Sequence, residues 1–231
     1  MTKNFDRNDF AKTDSAVRRY TASDMAKVYC EKCNGCGDCC HGMTTTIHLD
    51  PWDVCRLSEG LGKNFEELRR SGILDLHAEE GMILPHLRMQ EGDNGACPLL
   101  SSDGRCSIHP FRPGLCRLFP LGRDYDADTK TFRYFIVDNG CDMPGKMKIK
   151  ISKWLGIPDL AEYEKYISEW HYFCRDVKDF LKTCEDTAFA EQLNLFLLKV
   201  FYVTPYVIPE DGSQDFYSLF RMRLAQARTV L

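Results

Sequence analysis

No apolar run in this chain is long enough to cross a bilayer. The most apolar stretch, residues 195–203, has nine residues and contains Lys199, against the roughly 20 that a spanning helix needs. Neither sign of charge dominates. Thirty Lys and Arg stand against 34 Asp and Glu, for a formal net charge of −4, which makes no electrostatic case for nucleic acid or for an anionic membrane. Residues 1–10 are polar and lack the apolar segment of an export signal, so the expectation is a soluble cytoplasmic protein. A nucleophile elbow, a Walker A loop, an H-E-x-x-H pair, a dinucleotide fingerprint and a glycine-rich S-adenosylmethionine loop are all missing. Internal repeats and low-complexity tracts are missing too. These absences remove the common self-sufficient enzyme classes and leave the partner, if any, undefined.

What the chain has is cysteine, 12 in 231 residues. In a reducing compartment, thiols stay free, bind metal or carry redox chemistry. Five of them crowd one stretch: Cys30, Cys33, Cys36, Cys39 and Cys40. Each C-x-x-C turn lets two sulfurs converge on a point, which suits a metal better than a set of separate bridges. A second block, Cys97-Pro98 through Cys106 to Cys116, is braced by Pro110, Pro113 and Pro120, and Cys141 trails it. Those nine cysteines are the candidate ligands. Cys55, Cys174 and Cys184 fall in helical patterns, where cysteine serves as a small buried hydrophobe.

The run Cys33, Cys36, Cys39 has the spacing that holds three corners of a [4Fe–4S] cluster, and a remote Cys followed by Pro, as at Cys97-Pro98, is a frequent fourth ligand. The same thiols could build tetrahedral zinc sites. An iron–sulfur cluster is favoured, with zinc as the alternative. Adjacent residues point apart, so Cys39 and Cys40 are expected to serve different purposes. Either centre with four thiolates carries a net charge near −2, and Arg112, Arg117 and Arg123 are the nearest candidates to balance it. His41 and His109 could each replace a thiolate. His48, His77, His86 and His171 show no ligand spacing.

Taken together, Cys33-x-x-Cys36-Gly-x-Cys39-Cys40, Cys97-Pro-Leu-Leu, Cys106-Ser-Ile-His, Arg112-Pro-x-x-Cys116-Arg-x-Phe-Pro and Cys141 resemble the YkgJ-type cysteine-cluster family, over roughly residues 28–155. The resemblance implies a zinc- or iron-chelating CxxCxxCC domain and says little about activity. One relative with the motif, the flagellin lysine-N-methylase, implies a protein-modifying enzyme as an alternative to a redox, sensing or accessory protein, or to a zinc-organised interaction module. Here Cys30 adds one thiol to the basic motif, so a register of Cys30, Cys33, Cys36 and Cys39 is also open, and His109 stands where the pattern often has Tyr.

The expected fold is α+β, in three parts: a flexible arm over 1–20, a metal-stapled irregular region with short strands over 21–151, and a helical region over 152–231 packed on it. Local signals predict a short helix after Thr21–Asp24, a strand near 44–49, and a helix starting at Asp50-Pro51. A second helix is expected from the capping box Asn64–Glu67, and strands at 83–89, on both sides of Asp103-Gly104, and at 131–137, the last one buried. Three helices then follow from apolar residues at steps of three and four, with Ser213 or Asp215 capping the last.

Overall fold

A computed structural model describes residues 17–29, 37–92, 95–138, 140–141, 143–209 and 211–231. The architecture is α+β. Among the described residues the strands form three separate antiparallel pairs, and the C-terminal part is helical.

Helix α1, Pro51–Leu61, begins where a capping signal places it. The Asp50 carboxylate accepts from Asp53 N, Asp53 returns the bond to Asp50 N, and Pro51 supplies a preset φ. Helix α2, Phe65–Arg70, has the same reciprocal cap between Asn64 and Glu67. Strands β2, Leu74–Glu79, and β3, Met82–Leu87, make a hairpin. The short helix α3, Gly114–Leu118, leads into a second hairpin, β4, Leu121–Asp126, with β5, Thr131–Ile136. Strand β6, Met147–Lys150, pairs with β1, Met25–Tyr29. Helices α4, Ile151–Leu155, α5, Leu160–Thr183, α6, Thr187–Leu198, and α7, Phe216–Arg228, complete the chain. The end of α6 widens into a π-turn over Lys199–Val203.

One contiguous core joins these elements. Helix α5 runs through it, burying Tyr163, Tyr166, Ile167, Trp170, Phe173 and Val177 at helical spacing. Trp170 packs on Phe201 with ring centroids 5.0 Å apart, and Tyr166 on Phe220 at 4.6 Å, both edge-to-face. Three hydroxyls pin β4–β5 to α5: Tyr134 Oη donates to Glu164 (2.8 Å), Ser168 Oγ to Lys130 O (2.6 Å) and Tyr172 Oη to Asp126 O (2.6 Å). The β2–β3 hairpin is held from α6, where Asn194 Oδ1 accepts from Ile83 N (2.7 Å) and Nδ2 donates to Gly81 O (2.9 Å). No helix among the described residues is long and apolar enough to cross a membrane.

Several local expectations change. Met25–Tyr29 is a strand, not a helix: Ala26 and Val28 are buried while Met25 and Lys27 are exposed, an alternation of period two that a helix cannot use. Asp24, expected inside a helix cap, closes a turn by accepting from Thr21 N and Oγ1. Residues 44–49 are not a strand, although Leu49 N and Ile47 O still bond to β3. The turn at Gly104 carries a single bridge, Leu100 with Cys106, rather than two strands. Of β5 only Tyr134 is buried, because a two-stranded pair leaves one face to solvent. Of residues 1–20, 1–16 lie outside the described residues, and Tyr20 is buried and bonded both ways to Tyr134.

Candidate metal centre

Cys30, Cys33 and Cys36 lie outside the described residues. The described part of the array begins at Gly37, whose φ of 68° is a left-handed conformation that glycine adopts without strain. It starts a 3-10 turn over Asp38–Cys40, in which Cys40 N donates to Gly37 O. In that turn the neighbouring Cys40 thiol is the largest influence raising the Cys39 thiol, so the two act on each other, although adjacent side chains are expected to point apart. The array is then laced to the second cysteine block. Cys97 N donates to Cys40 O (2.7 Å), Gly42 N to Gly95 O (3.0 Å), and His41 pairs with Ala96.

From Cys97 the chain turns at Gly104 and returns through Cys106, with Ser107 N and Oγ both donating to Leu99 O at 2.9 Å. A 3-10 turn at His109–Phe111 and two prolines then set up α3, which carries Cys116. Two anchors fix that short helix. Gly114 N donates to the buried Asp53 Oδ1 (2.7 Å), and a Cβ at Gly114 would lie 2.2 Å from Tyr163 Oη, so only glycine fits. Buried Arg117 clamps the loop from within, donating to Arg112 O (3.0 Å), Pro110 O (2.5 Å) and Gly156 O (3.1 Å). It is therefore a brace of the loop, not a partner of sulfur.

Cys39 and three thiols of the 97–116 stretch come within electrostatic reach: Cys97, Cys39 and Cys106 bear on Cys116, Cys106 and Cys39 on Cys97, and Cys39 on Cys106. Burial raises the Cys116 thiol well above its ordinary pKa, with Cys97, Asp53, Cys39 and Cys106 adding to it. Burial raises Cys97, and Cys106 and Cys39 add to the effect. Burial raises Cys106 as well, with Arg112 opposing and Cys39 assisting. For Cys39, exposed as a residue, the neighbouring Cys40 thiol comes first, then burial, with Arg112 again opposing. Such thiols stay protonated unless a cation joins them. Of the three arginines, Arg112 is the one among the main influences on these thiols, at Cys39 and Cys106. Its Nη1 donates to His109 Nε2, which occupies that imidazole, and its Nε is buried with no partner. Arg123 instead donates to Tyr163 Oη (3.2 Å).

Cys141 is half-buried on the turn after β5, and its carbonyl accepts from Lys146 Nζ. It is not among the main influences on the four thiols. Cys55 and Cys174 sit in α1 and α5, their thiols raised by burial, Cys55 to about 11. Cys184 follows α5 and bonds to Asp186 O. His41 Nδ1 lies 3.0 Å from Gly37 O. Among the described residues no group of three or more His, Cys, Asp or Glu, as the side chains stand, is arranged to hold a metal ion. The donor chemistry nevertheless fits a thiophilic cation. Soft thiols are gathered from several segments, each is harder to ionise alone, and an arginine beside them has a buried N–H to spare.

Sequence reasoning misses the support behind this site. The Asp50–Asp53 pair is legible as a helix cap. Its second use, with Tyr166 Oη donating to Asp50 (2.9 Å) and accepting from Trp52 N (3.0 Å), needs residues 114 or more positions away. Residues 32–142 match the family model of the CxxCxxCC domain, described as a putative zinc- or iron-chelating domain. No curated protein and no solved structure matches the chain.

Proposed function

For a chain that carries the CxxCxxCC domain over residues 32–142, we propose that the function is to hold a thiol-ligated metal centre, a [4Fe–4S] cluster in preference to zinc, in a redox, sensing or accessory role. What supports this is that the Cys39–Cys40 turn is laced onto the second cysteine block, Cys97 N donating to Cys40 O and Gly42 N to Gly95 O, and that Cys39, Cys97 and Cys106 all bear on the buried Cys116 thiol. The cluster is preferred over zinc because Cys33, Cys36 and Cys39 keep the C-x-x-C-x-x-C run and Cys97 precedes a proline. With Cys30, Cys33, Cys36, Cys40 and Cys141 the candidate thiols number nine, enough for one four-thiolate centre or for two with one thiol left over. The bound group would supply one-electron chemistry. The chain's own contribution is to fix the thiolates and to set Arg112 against their negative charge.

Anaerobic purification followed by a visible spectrum and iron, sulfide and zinc analysis tests this. The expected protein is brown, with iron and acid-labile sulfide in equal amounts. A colourless protein with stoichiometric zinc and no iron would replace the cluster by a structural zinc centre. Absence of all three would overturn metal binding itself.

A further inference from the structure

The β2–β3 hairpin gathers a second set of metal-competent side chains, all on one face. Asp75 lies directly across the ladder from His86, and His77 is two residues from Asp75 on the same side. The His77 and His86 rings meet edge-on with centroids 5.6 Å apart. On the other side of His86, His48 joins by a bridge, and its Nε2 is 2.9 Å from Glu79 Oε1, while Glu79 Oε2 pairs with Lys178 Nζ (3.1 Å). His86 is only 6% exposed, and its Nδ1 is buried without a hydrogen-bond partner. An orphaned imidazole nitrogen inside a folded protein is costly, and a bound ion or water is a common answer to one.

We propose that His77, His86 and Asp75 form a site for a borderline divalent transition ion of the zinc class, separate from the thiol centre, with His48 and Glu79 closing its far side. Imidazole and carboxylate donors suit zinc, nickel and cobalt, and do not suit the soft sulfur chemistry of the cysteine array. The three donors do not meet as the side chains stand. His77 is exposed, so its ring is free to turn toward buried His86, and an ion would draw it there. The pairing of His48 with Glu79 is the kind of outer support that orients imidazoles around a metal. Burial, followed by His77 and His48, also holds the His86 imidazole below its ordinary pKa, which keeps it in the neutral form that ligates.

The test uses the full chain, purified anaerobically with whatever its thiols carry, and titrates zinc while the imidazole signals are followed by proton–nitrogen NMR. The expected result is uptake of one further equivalent, with shifts at His77 and His86. His77→Ala, a surface change that leaves the core intact, should weaken that equivalent at least about tenfold. Unshifted imidazoles, or equal affinity in His77→Ala, would overturn the site. Because the readout is specific to imidazole, this outcome does not depend on whether the thiols hold iron, zinc or nothing.

Discussion

A cysteine ligates as the thiolate, and burial makes the thiolate expensive. Cys116 shows both sides of that rule: it is the thiol whose ionisation is opposed by burial, by three other cysteines and by Asp53 together. A cation among these sulfurs counters all of those effects at once, which is why a thiol so placed is informative where Cys55 or Cys184 is not. Cys116→Ser should lose most of the bound metal, as should Cys36→Ser, while Cys184→Ser retains it. Metal per protein after anaerobic purification measures the difference. Equal retention in all three would remove Cys116 from the centre. The residue identities of this cluster are legible in the chain, since cysteine spacing and proline bracing are local. Arg112 can be singled out from Arg117 and Arg123 only in three dimensions. Arg117 spends its donors on backbone carbonyls and one donor of Arg123 goes to Tyr163, and neither choice leaves a mark in the sequence.

At the scale of elements, the starts of helices are legible because capping is written within four residues. The caps Asp50–Asp53 and Asn64–Glu67 and the Asp215 cap of α7 all form. Strand β1 escapes such a reading because its partner β6 lies about 120 positions away, and Met25–Tyr29 has no local signal strong enough to announce it. The α1 cap has a consequence for stability. Burial raises the Asp53 pKa, neighbouring Asp50 raises it further, and the bonds from Gly114 N and Asp50 N only partly offset this. An acid whose folded pKa lies above its unfolded value binds its proton more tightly in the folded state. Its contribution to stability is therefore whole below the unfolded pKa and declines as pH rises towards the folded one. Asp53→Asn removes that titration. Chemical denaturation from about pH 4 upward should show wild type losing stability relative to Asp53→Asn as pH rises, by about 1.4 kcal/mol for each pH unit between the unfolded and folded pKa. A difference that stays flat with pH would show that Asp53 has no such role. The slope is diagnostic even if the asparagine costs a hydrogen bond and moves the absolute level.

Across the whole molecule, the cysteine region and the helices share a core. Tyr166 of α5 holds the start of α1, Arg117 reaches the carbonyls that end α4, and Tyr202 Oη donates to Leu49 O (3.2 Å). A structural metal can stabilise by about 10 kcal/mol or more, comparable with the net stability of a domain, and from sequence its loss is expected to unfold the N-terminal half. The shared core argues for a narrower effect. The segments that bond mainly to themselves and to each other, Gly37–Cys40 and Cys97–Ser107, should open when the metal is removed by a chelator under anaerobic conditions. Helix α1 buries Trp52, Val54 and Leu57, and α5 and α7 bury their aromatic faces against the same core, so these helices should persist. Hydrogen exchange distinguishes the two outcomes. The amides of Cys40, Cys97 and Ser107, each bonded within or between the cysteine segments, should lose protection. Those in the middle of α5, from Tyr166 to Val177, should keep it. Loss of protection at both sets together would mean that the metal holds the whole core and that the shared packing is too weak to stand alone.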